Sequence, residues 1–129
     1  MSYRKALHTL GWMVSFGMTS AIAVASSLPA GYHAVSKTLA VSGYVHSQVQ
    51  VDALKADGVQ VVISLLPDGE QTVLDERAAV ERTGLSYVSI PVASAADLTE
   101  ANVLALDRAL AEHSDEKVLV HCASGNRVG

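Results

Sequence analysis

Residues 117–127 read Lys-Val-Leu-Val-His-Cys-Ala-Ser-Gly-Asn-Arg, an apolar run followed by a turn that ends on arginine. An apolar run bounded by turn residues is typical of a strand buried within a sheet. Cys122, the only cysteine of the 129-residue chain, stands where that strand would end. Backbone N–H groups of a turn over 123–126 can hold an anion, the Arg127 guanidinium can clamp an oxyanion, and such a field favours a nucleophilic thiolate. The stretch therefore predicts cysteine chemistry on an oxyanion; the alternative is that Cys122 is a small buried apolar side chain.

The rest of the chain alternates strand-like runs with helical patterns. The hydrophobic pattern predicts strands over 39–41, 59–66, 85–92 and 118–121, and helices over 47–56, 71–83 and 99–113. The last helix is expected to bury an apolar face of Val103, Leu106 and Leu110. This order is typical of an α/β fold with a parallel or mostly parallel central sheet flanked by helices. Ligands in such sheets bind beyond the carboxyl ends of the strands, where Cys122 is placed.

Three segments carry a resemblance to a known family. His-Cys-x-x-Gly followed by Arg, over 121–127, resembles the phosphate-binding loop of protein tyrosine and dual-specificity phosphatases. The fuller string over 121–129 resembles more narrowly the bacterial phosphatase-like family related to the beta-lactamase hydrolase-like proteins, and residues 58–70 and 87–92 also fit it. The resemblance covers the chain from about Gly43 onward. It implies a cysteine-phosphatase-like fold over 39–129 and a phosphorylated substrate, either a protein or a small molecule.

The resemblance also implies roles for individual residues. Cys122 would attack a phosphoester such as phosphotyrosine and form a phosphocysteine. The backbone of Ala123, Ser124, Gly125 and Asn126, together with Arg127, would hold the phosphoryl oxygens. His121 would orient the loop. Only Val128 and Gly129 follow Arg127, whereas such loops normally lead into a helix, so the domain is expected to be incomplete at its C-terminus.

The resemblance also implies a general acid that protonates the leaving oxygen, an Asp on a loop before the helix that precedes the cysteine strand, and Asp97 matches that position. The alternative is that Asp97 with Glu100 forms a capping-box-like helix start. Asp68 and Glu70, after the second strand, are alternative acids, although they also suit a solvated turn.

The spacing of the loop leaves the chemistry open. Four residues separate Cys122 from Arg127, and Val128 follows the arginine, whereas typical tyrosine phosphatases have five residues in the gap and then Ser or Thr. Four is also the length of the loop of rhodanese-type sulfurtransferases, in which the cysteine carries a persulfide. A non-catalytic anion-binding domain is the third possibility.

The amino-terminal segment predicts export. Arg4 and Lys5 precede an uncharged stretch over 6–25 that ends in Ala-Val-Ala, the pattern of a secretory signal peptide. We therefore expect a signal peptide over 1–25, a flexible lead-in over 26–38 and a periplasmic protein, with no stable membrane span after cleavage. The alternative is an uncleaved membrane anchor, because about 20 apolar residues can span a bilayer.

The charge balance argues against basic recognition surfaces. Without Arg4 and Lys5 the formal net charge falls from −4 to −6, whereas nucleic-acid binding needs basic patches. The histidines show no metal-ligand spacing, so no nucleic-acid partner, metal or cofactor is expected. With one cysteine there is no intramolecular disulfide.

Overall fold

The computed structural model describes residues 27–67, 69–71 and 73–123. The predicted signal peptide, the alternative acid Asp68 and the loop residues Ser124, Gly125, Asn126 and Arg127 lie outside the described residues.

The described chain alternates strands and helices in the predicted order. The strands are β1 (His33–Ala34), β2 (Leu39–Ser42), β3 (Val61–Ser64), β4 (Ser86–Ser89) and β5 (Val118–His121), and the helices are α1 (Gln48–Ala56), α2 (Glu76–Arg82) and α3 (Glu100–Glu112), with a 3₁₀ turn over Ala95–Asp97. The sheet order is β1-β2-β5-β3-β4. Only β1 with β2 is antiparallel; the other pairs are parallel. The predicted α/β class with a mostly parallel sheet is confirmed.

The sheet separates two apolar cores because successive side chains of a strand point to opposite faces. On one face, α1 and α2 cover Ala40, Val62 and Leu119. On the other face, α3 covers Val61, Ile63, Val118 and Val120. We call these the α1/α2 face and the α3 face. Every residue of β3 and β5 is buried, as their continuous apolar runs predict for central parallel strands.

Each helix begins at a side-chain cap. Ser47, Asp75 and Thr99 accept hydrogen bonds at 3.2 Å from the backbone N–H groups of the residues three positions on. The helix predicted over 71–83 therefore begins only at Glu76, after the Asp75 cap. The cap of α3 is Thr99, so the capping role considered for Asp97 is wrong.

The lead-in predicted to be flexible is part of the fold over residues 27–38. Two residues of it, His33 and Ala34, pair with β2, and Leu28 and Tyr32 pack against the core of the α1/α2 face. The Tyr32 hydroxyl donates to Asp57 Oδ2 at 2.5 Å, and Lys117 Nζ approaches the same oxygen at 2.9 Å. These long-range contacts order a segment whose own sequence is rich in turn residues.

The apolar side of α3 differs from the prediction at one position. Leu106 and Leu110 pack on the sheet with Ala109, but Val103 is 54% exposed. Val103 belongs to the first turn of α3, whereas the residues that pack on the sheet belong to its later turns. No helix of the described residues is long and apolar enough to cross a membrane.

Candidate active site

Four neighbouring strands end side by side on polar residues. The register pairs Ser42 of β2 with His121 of β5, His121 with Ser64 of β3, and Ser64 with Ser89 of β4. We call these four residues the terminal rung. They follow Ala40, Leu119, Val62 and Tyr87 by two positions, so their side chains belong to the α1/α2 face. Only His121 was predicted from the sequence to belong to a site. Ser42 follows the strand predicted over 39–41, whereas Ser64 and Ser89 lie inside the longer strands predicted over 59–66 and 85–92, so the sequence did not mark them as strand ends.

Cys122 follows the terminal rung directly and belongs to the opposite face. Its side chain is fully buried and packs in the core of the α3 face with Leu65, Ile90 and Val92. These residues follow β3 and β4, whose backbone pairing extends beyond the strands through a 2.9 Å bond from Val92 N–H to the Leu65 carbonyl. The predicted nucleophile thus lies at the carboxyl end of a central strand, among the segments that leave the two adjoining strands.

The end of β2 fastens the start of the cysteine loop. The Cys122 N–H donates to the Ser42 carbonyl at 3.4 Å, and the Tyr44 N–H donates to the Ala123 carbonyl at 3.2 Å. Gly43 lies between these two contacts. A Cβ at Gly43 would stand 3.0 Å from the Ala123 carbonyl oxygen, closer than ordinary van der Waals contact, so the close approach needs glycine.

His121 lies between the loop and a buried carboxyl group. Its Nε2 is 2.5 Å from Glu76 Oε2, and its Nδ1 is 3.4 Å from the Cys122 carbonyl oxygen. Both side chains are excluded from water, at 0% exposure for His121 and 4% for Glu76. Among the described residues, Glu76 Oε1 has no hydrogen-bond partner. Glu76 is not among the site residues predicted from the sequence, because it reads as one more charged residue of a charged helix.

Asp97 lies on the segment that follows β4. Its Oδ2 accepts from the Ala93 N–H at 3.0 Å, and its carbonyl accepts from Asn102 Nδ2 at 2.7 Å. The carboxyl group is thus held within its own loop and is half-buried. The alternative acid Glu70 accepts from the Tyr44 hydroxyl at 3.3 Å, which ties it to the segment beside the cysteine loop.

A cavity of about 450 Å³ opens beside the terminal rung. Ser64, Ser89, Tyr87, Glu76 and Arg77 are among its lining residues. The Arg77 guanidinium lies 4.8 Å from the centre of the Tyr87 ring. Burial raises the pKa of the Tyr87 hydroxyl, and a hydrogen bond with Ser64 opposes that shift. The cavity lining therefore combines three hydroxyl-bearing residues, the two acidic residues Asp75 and Glu76, and the guanidinium group of Arg77 with apolar and amide residues.

The described part of the site brings thiol, imidazole, carboxyl and hydroxyl groups to one edge of the sheet, with the thiol and the imidazole fully buried. Within residues 27–67, 69–71 and 73–123, no group of three or more His, Cys, Asp or Glu side chains is placed to hold a metal ion.

Known structures share this fold. A candidate phosphatase (DUF442) from Shewanella putrefaciens CN-32 is 32% identical with a TM-score of 0.71, and the match covers 78% of this chain and 64% of that one. Pseudomonas aeruginosa TpbA is 28% identical with a TM-score of 0.59, over 73% of this chain and 54% of TpbA. A candidate phosphatase from Neisseria meningitidis Z2491, 22% identical with a TM-score of 0.61 over 74% of this chain and 68% of that one, supports the fold alone. The chain therefore spans less than two thirds of the length of the Shewanella protein.

A family match covers most of the chain, including the whole cysteine loop. No curated protein matched the sequence. The profile of the family "Beta-lactamase hydrolase-like protein, phosphatase-like domain" matches residues 31–129. The match begins within residues 27–38, the segment that was predicted to be a flexible lead-in, and it extends through Arg127. The chain belongs to this family of phosphatase-like domains.

Proposed function

We propose that the chain is a cysteine-dependent phosphatase domain that hydrolyses a phosphoester through a phosphocysteine. The observation that carries the proposal is the position of Cys122, the first residue after a central strand, at the sheet edge where ligands bind in this class of fold. The family match through Arg127 supports the same chemistry. An aryl phosphate such as phosphotyrosine is the proposed substrate class.

The first step transfers the phosphoryl group to sulfur. The Cys122 thiolate attacks phosphorus, an S–P bond forms, and the bond from phosphorus to the leaving oxygen breaks. Asp97 donates its proton to that oxygen. The loop amides of 123–126 and the Arg127 guanidinium hold the remaining phosphoryl oxygens, where developing charge is best stabilised by oriented donors.

The second step restores the thiolate. The Asp97 carboxylate accepts a proton from water as the water oxygen attacks phosphorus. The new P–O bond replaces the S–P bond, and inorganic phosphate leaves. Asp97 is then protonated again for the next cycle, so one residue serves in turn as acid and base.

The test is hydrolysis of an aryl phosphate by the full chain. We expect turnover that orthovanadate inhibits and that Cys122→Ser abolishes, with phosphate recovered on Cys122 after rapid acid quench. Glu81→Gln, at an exposed residue of α2 that lies 3.6 Å from Arg77, is the matched control and should keep full activity. Absence of turnover in the wild type, with phosphate bound, would instead support a non-catalytic anion-binding domain.

Asp97→Asn separates the acid from the nucleophile. A general acid contributes about 10²–10⁴-fold, so we expect kcat to fall within that range for a phenyl phosphate and much less for an ester with a more acidic leaving group. Equal losses on both substrates would remove Asp97 from this role, and the same comparison for Glu70→Gln would then test the alternative acid.

The four-residue gap between Cys122 and Arg127 favours a second candidate, a rhodanese-type sulfurtransferase. The Cys122 thiolate would take the outer sulfur of thiosulfate, releasing sulfite, and pass it to a thiol acceptor. Mass spectrometry after thiosulfate treatment would show one added sulfur atom on the wild type and none on Cys122→Ser. An unmodified wild type excludes this candidate.

We also propose that residues 1–25 direct export, on the basis of Arg4, Lys5 and the Ala-Val-Ala ending. Expression in a bacterial host should give a periplasmic protein whose first residue is Ser26. Recovery of the uncleaved chain from the membrane fraction would instead support an anchor.

A further inference from the structure

Glu76 places a carboxyl group in a buried position, which is energetically unfavourable. It is the first residue of α2 and is 5% exposed, and transfer of a carboxyl group out of water is unfavourable unless hydrogen bonds compensate. Its Oε2 lies on His121, but no described residue bonds its Oε1. An apolar pair of similar volume would hold α2 to the sheet at least as well. Stability alone therefore does not account for a carboxyl group here.

The two neighbours of the His121 ring hold it in one orientation. Nδ1 faces the Cys122 carbonyl oxygen, which can only accept, so a hydrogen bond there requires hydrogen on Nδ1. Nε2 faces the Glu76 carboxyl group at 2.5 Å. This second contact holds the ring from the side of α2 and keeps Nδ1 against the Cys122 carbonyl. The partner of one ring nitrogen thus sets the position of the other.

The Cys122 carbonyl belongs to the first peptide plane of the loop. In a trans peptide the carbonyl and the next N–H point in opposite directions. A His121 ring held against the Cys122 carbonyl thereby fixes the direction of the Ala123 N–H, the first amide of the anion-binding turn. The Ser42 and Tyr44 contacts hold the same stretch from β2, so Glu76, through His121, completes its support from α2.

We propose that Glu76 is a positioning residue for the Cys122 loop and acts through His121. Its effect on turnover rests on the proposed phosphatase function, whereas its effect on the His121 ring and on oxyanion binding does not.

The first test follows the ring nitrogens directly. Side-chain ¹⁵N correlation spectra of the full chain should show His121, identified among five histidines by its loss in His121→Asn, with hydrogen on Nδ1. Glu76→Leu should shift the His121 ring ¹⁵N resonances and weaken the Nδ1–H contact with the Cys122 carbonyl, because Nε2 loses its partner. Glu76→Gln should keep the Nδ1–H form, because its amide can donate to Nε2. A wild-type spectrum without hydrogen on Nδ1, or an identical spectrum in Glu76→Leu, would overturn the proposal.

The second test asks whether Glu76 acts through His121. Because misplacement by about 1 Å can cost 10²-fold, we expect Glu76→Leu to lower kcat for an aryl phosphate about 10- to 100-fold with a smaller change in KM. Glu76→Gln should recover most of that loss. In a His121→Asn background, Glu76→Leu should have no further effect. An equal loss in both backgrounds would contradict the proposal.

Controls separate positioning from folding and from the failure of the phosphatase proposal. Glu81→Gln on the same helix should match the wild type, and urea unfolding of every variant shows which ones are folded under assay conditions. If the wild type has no turnover, the Glu76 variants are compared in the same two backgrounds by their affinity for tungstate. Weaker tungstate binding in Glu76→Leu but not in Glu76→Gln supports positioning, and equal affinities in all variants overturn it.

Discussion

The two faces of the sheet are alike along most of their length and differ at the carboxyl edge. On the α1/α2 face, the apolar core ends in the terminal rung, with His121 and its partner Glu76. On the α3 face, the core stays apolar through Cys122. Imidazole and thiol are consecutive in sequence but lie on opposite sides of the strand. The imidazole therefore approaches Cys122 through its backbone carbonyl, the geometry that the proposed positioning role of Glu76 and His121 requires.

The largest loss of stability is expected for substitutions of the buried apolar residues, which the two faces have in common. Leu119 on the α1/α2 face and Ile63 on the α3 face are both fully buried. Leu119→Ala and Ile63→Ala should each lower the free energy of unfolding by about 2–5 kcal/mol, measured by urea denaturation. A loss confined to one variant would mean that one face supplies most of the stability, contrary to the comparison.

Gly43→Ala tests the attachment of the loop to β2. The added Cβ would meet the Ala123 carbonyl oxygen at 3.0 Å and the Ala30 carbonyl oxygen at 3.3 Å, so the start of the loop must shift. We expect kcat for an aryl phosphate to fall about 10- to 100-fold, with a smaller effect on the urea midpoint. Unchanged kcat with a lowered midpoint would show that the Ala30 side had moved instead.

The other end of β5 offers an ion pair that contrasts with the buried one. The Tyr32 hydrogen bond, with a smaller contribution from Lys117, lowers the pKa of Asp57, and the bond to Asp57 raises the pKa of Lys117. The Asp57 side chain is 34% exposed, so solvent screens the pair and Asp57→Asn should cost only about 0.2–1 kcal/mol at neutral pH.

The difference in free energy of unfolding between wild type and Asp57→Asn should depend on pH in a definite direction. A lowered carboxyl pKa stabilises the fold above the unfolded value of about 3.9, and the contribution is lost as pH falls through the folded value. A raised lysine pKa stabilises it below about 10.4 and is lost as pH rises through the folded value. The difference between wild type and Asp57→Asn in urea denaturation should therefore shrink in acid below about pH 4 and again in strong base. A constant difference would contradict these shifts.

The smallest effect is expected at Val103. Because 54% of it is exposed, Val103→Ala should change the free energy of unfolding by less than about 0.5 kcal/mol. Leu106→Ala, on the packed side of α3, is the matched comparison and should cost more. A larger loss at Val103 than at Leu106 would mean that Val103 does pack on the sheet, as the sequence predicted.

The sequence was sufficient for the existence and order of β2 to β5 and of the three helices, and for the place of Cys122 after β5, because apolar runs and their turn residues are local signals. It failed where order depends on distant partners. His33 and Ala34 become a strand only by pairing with β2. Glu76 lies 45 residues from His121, and nothing around it in the sequence distinguishes it from Glu81, which is exposed. Whether Val103 is buried depends on which turns of α3 pack on the sheet, and the local sequence does not specify that.

The pairing register of β5 has a consequence for how this domain can change in length. One residue inserted or deleted between Val118 and His121 would exchange the faces of every side chain that follows, turning the thiol toward α2 and the imidazole toward α3. Loops at the other edge of the sheet can vary freely by comparison. Viable length variants of this domain should therefore carry their insertions and deletions outside β5.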